Sequence, residues 1–113
     1  MSIHSRVLKA YGSAATLRNQ RDQDAEVIRR VSGALRRASD EISRTRALAD
    51  VKMLWQTILA ASHDPRNPLP TKLCAQMISV AQSVLRTTAL EAPDIDFLIE
   101  INDNFANGLG GRA

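Results

Sequence analysis

The sequence is poor in cysteine, in aromatic residues and in long apolar runs, and each shortage excludes a class of protein. Among its 113 residues one is a cysteine and 4% are aromatic, although 44% are hydrophobic. The single cysteine, Cys74, excludes an internal disulfide and fits a reducing compartment. No segment is long and apolar enough for a membrane-spanning helix, and the first residues lack the apolar core of a secretory signal. We therefore expect a cytoplasmic protein with one aliphatic core, in a single domain over residues 1–113.

Residue combinations typical of enzymes and metal sites are also missing. Neither histidine, His4 or His63, has a second histidine or a cysteine at the spacing of metal ligands on a helix. No glycine-rich phosphate loop follows a strand, because the sequence has no alternating strand pattern. Cys74 lies at helical spacing from Ile78 and Ala81, which predicts a buried and unreactive thiol. We predict a protein that is not an enzyme and needs no metal or cofactor.

Apolar residues recur every three or four positions along most of the chain, which predicts an all-α fold. The expected structure is a small bundle of four to five helices, joined by short corners that contain proline or asparagine. The pattern predicts a first helix over residues 4–17 and a polar connection, "RNQRDQD", over residues 18–24. A last helix is predicted to have Pro93 in its first turn and to be ended by Gly108, Gly110 and Gly111, with a loose tail at residues 110–113.

Cap residues and prolines predict the helix ends in the middle of the chain. At "ASDEIS", residues 38–43, the chain either breaks because of its Ser and Asp cap residues or continues as one bent helix. Pro65 predicts the end of the next helix, and Pro70 predicts the start of the one after it. The apolar face after Pro70 is wide and predicts the most buried helix of the bundle. Its members are Leu73, Met77, Ile78, Ala81, Val84, Leu85 and Thr88.

Positive charge is concentrated in the first half of the chain. Residues 1–52 hold eleven Lys and Arg against six Asp and Glu, whereas residues 53–113 hold four against six. Arg30, Arg37 and Arg44 recur every seven residues and would form a continuous basic ridge on one helix. This ridge is either a face for RNA or another anion, or a solvated face whose arginines pair with neighbouring carboxylates. The lack of interleaved aromatic residues favours the solvated face.

Two aromatic residues and one corner are candidates for partner contact. Trp55 is predicted to anchor the core, whereas an exposed Trp55 would be an interface hot spot. Tyr11 lies in a first helix that Gly12 weakens, and this helix docks either on its own bundle or on another protein. In "HDPRNPLP", Asn67 is expected to cap the corner and Leu69 to pack against the core.

Four short blocks of sequence resemble the FlaF family of alphaproteobacterial flagellar biosynthesis regulators. They are "AYGSAA" at 10–15, "LW" at 54–55, "NPLP" at 67–70 and "LIEINDNFANGL" at 98–109. Their order and spacing also match the family, so the resemblance covers nearly the whole chain. One departure is "DVKM" at 50–53, where the family often has a run of Asn-Arg-Arg type before Leu-Trp.

The resemblance implies a helical protein that promotes flagellin synthesis or secretion, as a flagellin-binding export chaperone or adaptor that works with FlbT. The alternative is a post-transcriptional regulator that contacts flagellin mRNA through the arginine ridge. For the first function, we expect partner contacts on the exposed side of the last helix, at Asn102 above all. The complete set of expected partner-binding residues is Tyr11, Trp55, Asn67, Leu69, Leu98, Asn102 and Phe105.

Overall fold

The computed structural model describes the backbone of residues 3–109 and the side chains of residues 20–109. It contains four helices, which are α1 (Ile3–Arg37), α2 (Glu41–His63), α3 (Thr71–Thr88) and α4 (Ile95–Leu109). No strand occurs in this described part of the chain, so the all-α prediction is confirmed with four helices. The predicted tail at residues 110–113 and the side chain of Tyr11 lie outside the described residues.

Helix α1 is one continuous helix of 35 residues, so the predicted connection at 18–24 is wrong. That segment contains no proline or glycine, and Gln20 donates a hydrogen bond to Asp24 one turn later over 2.9 Å. Its side chains from Gln20 to Asp24 are exposed. A polar run without a helix breaker therefore forms a solvated stretch of helix instead of a loop.

Asp40 separates α1 from α2, which confirms the break as the correct choice at "ASDEIS". Its carboxylate accepts a hydrogen bond from the Ser43 backbone N–H over 2.7 Å, and the Asp40 N–H donates to the Ser43 hydroxyl over 3.2 Å. This reciprocal arrangement is a capping box. The bonds from Ser43, its side chain first and its backbone second, lower the pKa of Asp40.

Asn67 holds the corner between α2 and α3, as predicted. Its side-chain nitrogen donates to the Ala61 carbonyl over 2.9 Å, and its side-chain oxygen accepts from the Leu69 N–H over 3.0 Å. Helix α2 ends two residues before Pro65, and α3 begins directly after Pro70. The two prolines restrict the backbone, and Asn67 satisfies the polar groups that the turn leaves open.

The helices pack mainly as two antiparallel pairs, α1 with α4 and α2 with α3. Small residues lie in the first pair, where Ala25 and Ala106 are both buried. The main core cluster joins residues of all four helices, namely Leu35, Ala47, Val51, Trp55, Ala81, Val84 and Leu98. Short side chains let α1 and α4 approach closely, while the larger aliphatic residues fill the space between the pairs.

Trp55 and Asn102 join the two pairs through a buried hydrogen bond between α2 and α4. The indole N–H of Trp55 donates to the Asn102 side-chain oxygen over 2.7 Å. The Trp55 ring also packs on Phe105, with ring centroids 5.3 Å apart at an interplanar angle of 53°. Trp55 is 1% exposed and Asn102 is 0% exposed, so water does not compete for this bond. The predicted core role of Trp55 is confirmed.

Replacing Trp55 by Phe should lower the free energy of unfolding by about 1–3 kcal/mol, because Asn102 loses its buried donor. Urea unfolding followed by circular dichroism measures this loss. The double variant Trp55→Phe/Asn102→Leu should recover part of it, since no buried amide is then left unpaired. A Trp55→Phe protein as stable as the wild type would show that the hydrogen bond contributes nothing.

Asp40 should make the stability of the wild type depend on pH in the acid range. Its pKa in the folded protein lies below the ordinary value of 3.8, so the charged form stabilises the fold above that pH. This contribution is lost as the pH falls through the folded pKa. Thermal melts should therefore show an advantage over Asp40→Asn at neutral pH that shrinks below pH 3.8. A difference that stays constant with pH would contradict the assignment.

Candidate protein-binding surface

Helix α3 has three buried residues among 18, whereas α4 has three among 15, so the prediction that α3 is the most buried helix is wrong. Cys74, Ala81 and Val84 are buried, which confirms the predicted burial of the Cys74 thiol. Leu73 of the predicted apolar face is 40% exposed, and Val80, two helical turns after Leu73, is 37% exposed. The reason is that α3 packs chiefly on α2, and one neighbour cannot cover so wide a face.

A groove of about 560 Å³ lies between α3 and α4, and we call it the α3–α4 groove. One wall is formed by Leu73, Met77 and Val80 of α3. Trp55 and Phe105 also line the groove. The remaining lining residues are Arg21, Leu69, Gln76, Asn104, Gly108 and Leu109. The groove is thus an apolar channel with a few polar groups, which is the usual composition of a site for a peptide helix.

A second groove of about 560 Å³ separates α1 from α2, and we call it the α1–α2 groove. Val27 and Val31 of α1 face Met53 and Ile58 of α2 across it. Val27 is 44% exposed and Met53 is 67% exposed. The carboxylates of Asp24 and Asp50 also line this groove, one from each helix. This surface is therefore apolar and carries negative charge on both walls.

The two grooves form one continuous apolar surface. Four residues line both of them, and these are Leu69, Met77, Phe105 and Leu109. Leu69 is 39% exposed, so the expectation that it packs against the core is wrong. It lies instead at the junction of the grooves, and the amide of Asn67 holds its backbone there.

The remaining expected partner residues divide between the grooves and the core. Asn67 and Phe105 lie at the grooves, and Trp55 presents only a small part of its ring there. Leu98 and Asn102 are both 0% exposed, so neither can contact a partner from this position. The expected exposed position of Asn102 is wrong, because the Trp55 indole draws its amide into the core.

Four exposed apolar residues belong to the surface and were absent from the expected set. They are Val27, Met53, Leu73 and Val80. Leu73 belonged to a face that was wide for a single helix, and that width was the only signal in the sequence. Met53 follows a charged residue and lies outside the apolar stripe of α2, so periodicity alone gave no indication of its role.

The predicted basic ridge is interrupted. Arg30 and Arg37 lie on α1, whereas Arg44 lies on α2 beyond the turn at Asp40. Next to these ridge residues, Arg36 pairs with Asp103 of α4, and Arg29 donates to the Ala106 carbonyl over 3.4 Å. The heptad spacing predicts a ridge only if the helix continues through residues 38–40, and the capping box ends it there.

Arg44 lines a third cavity, of about 950 Å³, at the opposite end of the bundle. Arg36 lies there as well, together with the carboxylates of Glu91, Asp96, Glu100 and Asp103. Charges of both signs meet in this cavity. Over residues 20–109, no cluster of His, Cys, Asp and Glu side chains is arranged to hold a metal ion. Among the described helices, none combines the length and apolarity needed to cross a membrane.

Comparison with known proteins gives one match. The sequence model of the family described as "Flagellar protein FlaF" matches residues 7–109, which is nearly the whole chain. No curated protein and no solved structure matches the chain. The match includes every element of the bundle except the first turn of α1 and the last residues.

The open apolar surface should bind a hydrophobic dye such as ANS in the folded state, because ANS binds exposed apolar surface. Most folded monomers leave little surface of this kind exposed. Leu73→Glu and Val80→Glu should each lower the dye fluorescence. Ile42→Glu is the matched control, since Ile42 is 67% exposed but lines neither groove. Equal dye binding by all three variants would place the exposed apolar surface elsewhere.

Proposed function

Because the chain belongs to the FlaF family of flagellar proteins, we propose that it promotes flagellin synthesis or secretion by binding flagellin as an export chaperone. The α3–α4 groove is the observation that carries this proposal. Membership of a family of flagellar proteins supports a role in flagellar biogenesis, and the groove supports a binding function. FlbT is the expected second partner, as the resemblance to the family implies.

The groove suits an amphipathic helix as its ligand. From Leu73 to Val80 its α3 wall extends for about 10 Å, which is roughly two helical turns. A helix laid in it can place apolar side chains at positions i, i+3 or i+4, and i+7 against Met77 and Phe105. The terminal regions of flagellin are helical and prone to aggregation, so covering their apolar stripes would keep them competent for export.

Polar groups beside the groove can fix the direction in which a ligand helix binds. Gln76 and Asn104 lie on opposite walls and offer both donors and acceptors. Arg21 adds a positive charge to the lining. A ligand helix with an acidic or carbonyl group near Arg21 would bind in one direction better than in the other. These groups bind and orient, and the proposed function involves no chemical step.

The alternative of direct contact with flagellin mRNA has less support. Arg30 and Arg37 remain exposed on α1, but Arg44 is separated from them by the turn at Asp40. A row of phosphates would therefore meet a short basic patch beside carboxylates such as Asp103. Fewer phosphate contacts mean weaker binding with a shallower dependence on salt, so we favour the protein-binding function.

Leu73→Glu and Val80→Glu should each weaken binding of a flagellin terminal peptide about tenfold or more, because a charge would be buried against the ligand's apolar stripe. Trp55 is the only tryptophan and touches the groove, so its fluorescence provides the titration signal. The same variants should lower the amount of flagellin secreted by cells that depend on them.

Met53→Glu is the control for this experiment, because Met53 is exposed and lies only in the α1–α2 groove. It should leave peptide affinity unchanged. Affinity that is unchanged in Leu73→Glu and Val80→Glu, or wild-type protein that binds no flagellin peptide, would overturn the proposal. The same titration with FlbT shows whether FlbT binds this groove, in which case Leu73→Glu and Val80→Glu also weaken its binding, or another surface.

A further inference from the structure

We infer that two copies of the chain form a dimer in which the first half of α1 from each copy occupies the α1–α2 groove of the other. The inference does not depend on flagellin binding, since it concerns the other groove. It is based on three observations, which are the charge of the groove, the length of α1 and the composition of residues 3–19.

The α1–α2 groove is complementary to a ligand that is apolar and positively charged. Its walls are largely aliphatic, from Val27 and Val31 on one side to Met53 and Ile58 on the other. The charged groups in its lining are the carboxylates of Asp24 and Asp50, one on each wall. A helix with an apolar face and basic flanks would be complementary to both properties.

The first half of α1 has this composition. Residues 3–19 contain Arg6, Lys9 and Arg18 but no aspartate or glutamate. Apolar residues recur in the same segment at helical spacing, and these are Ile3, Val7, Leu8, Tyr11, Ala14, Ala15 and Leu17. The long side chains of Arg and Lys can lie along an apolar surface and still reach a carboxylate at its edge.

The bundle places this half of α1 where a second copy can reach it. Leu109, at the end of α4, packs against the cluster of Ala25 and Ile28 on α1. Helix α1 continues N-terminally from there to Ile3 without a break. The N-terminal half of α1 therefore extends beyond the last turn of α4. Because the helix is continuous, this half cannot fold back onto the groove of its own chain.

The lengths of the segment and the groove also agree. Residues 3–19 form a helix about 25 Å long, and the α2 wall from Asp50 to Ser62 is about 18 Å long. If one copy inserts its segment into a second copy, a twofold axis lets the second do the same. Such an isologous exchange closes the assembly at two chains and covers the α1–α2 groove of each copy.

Analytical ultracentrifugation of the full chain tests the dimer. The wild type should sediment at twice 12.4 kDa. Leu8→Glu and Met53→Lys should each shift it to the monomer, because each removes an apolar contact and places a charge next to groups of the same sign at the proposed interface. Leu73→Lys, in the other groove, should remain a dimer. Circular dichroism of each variant confirms that the helices are retained.

Cross-linking identifies the contact itself. Mixing Leu8→Cys with Met53→Cys and oxidising should give a disulfide between the two different chains. Mixing Leu8→Cys with Ile42→Cys, whose exposed position lies outside the groove, should give none. The native Cys74 is buried and does not compete.

A monomeric wild type would overturn the inference. So would a dimer that Leu8→Glu and Met53→Lys both leave intact, or a Leu8 cysteine that cross-links only to itself. None of these results bears on flagellin binding, which is measured through Leu73 and Val80. Conversely, a chain that fails to bind flagellin peptide could still show the cross-link. The two proposals therefore fail separately.

Discussion

The hydrogen bond between Trp55 and Asn102 is the connection on which the rest of this bundle depends. Backbone packing is strong within the pairs α1/α4 and α2/α3, whereas α2 and α4 meet through side chains. The buried amide accepts the indole N–H, and the Phe105 ring packs on the same tryptophan. A buried polar contact of this kind is costly to leave unpaired, so it selects one position of the two pairs relative to each other.

That position leaves the bundle incompletely closed. With Trp55 drawn towards α4, α3 keeps α2 as its main neighbour, and Leu73 and Val80 face solvent. On the other side, the α1–α2 groove separates α1 from α2, and Met53 is exposed there. The packing of the two pairs thus leaves two apolar grooves, one between α3 and α4 and one between α1 and α2. The chain belongs to the FlaF family of flagellar proteins, and these grooves are the surface that we propose for binding its partners.

Local signals in the sequence predicted helix ends well wherever a residue acts directly on the backbone. Pro65, Pro70 and Asp40 each restrict the backbone or cap it, and the observed helices end or begin beside them. The prediction at residues 18–24 is wrong because a run of polar residues does not by itself end a helix. Polar residues such as Gln20 have adequate helix propensity and are stable on a solvated helix surface.

By itself the sequence determined the all-α class, most helix ends and membership of the family, because these follow from propensity, periodicity and short blocks of residues. Tertiary structure alone decided that Asn102 is buried, that Leu69 is exposed and that Arg44 lies apart from Arg30. Periodicity shows which face of a helix is apolar, but not how many neighbours cover it. That number depends on contacts between residues far apart in the chain, such as Trp55 and Asn102, and it set which apolar residues remain open to a partner.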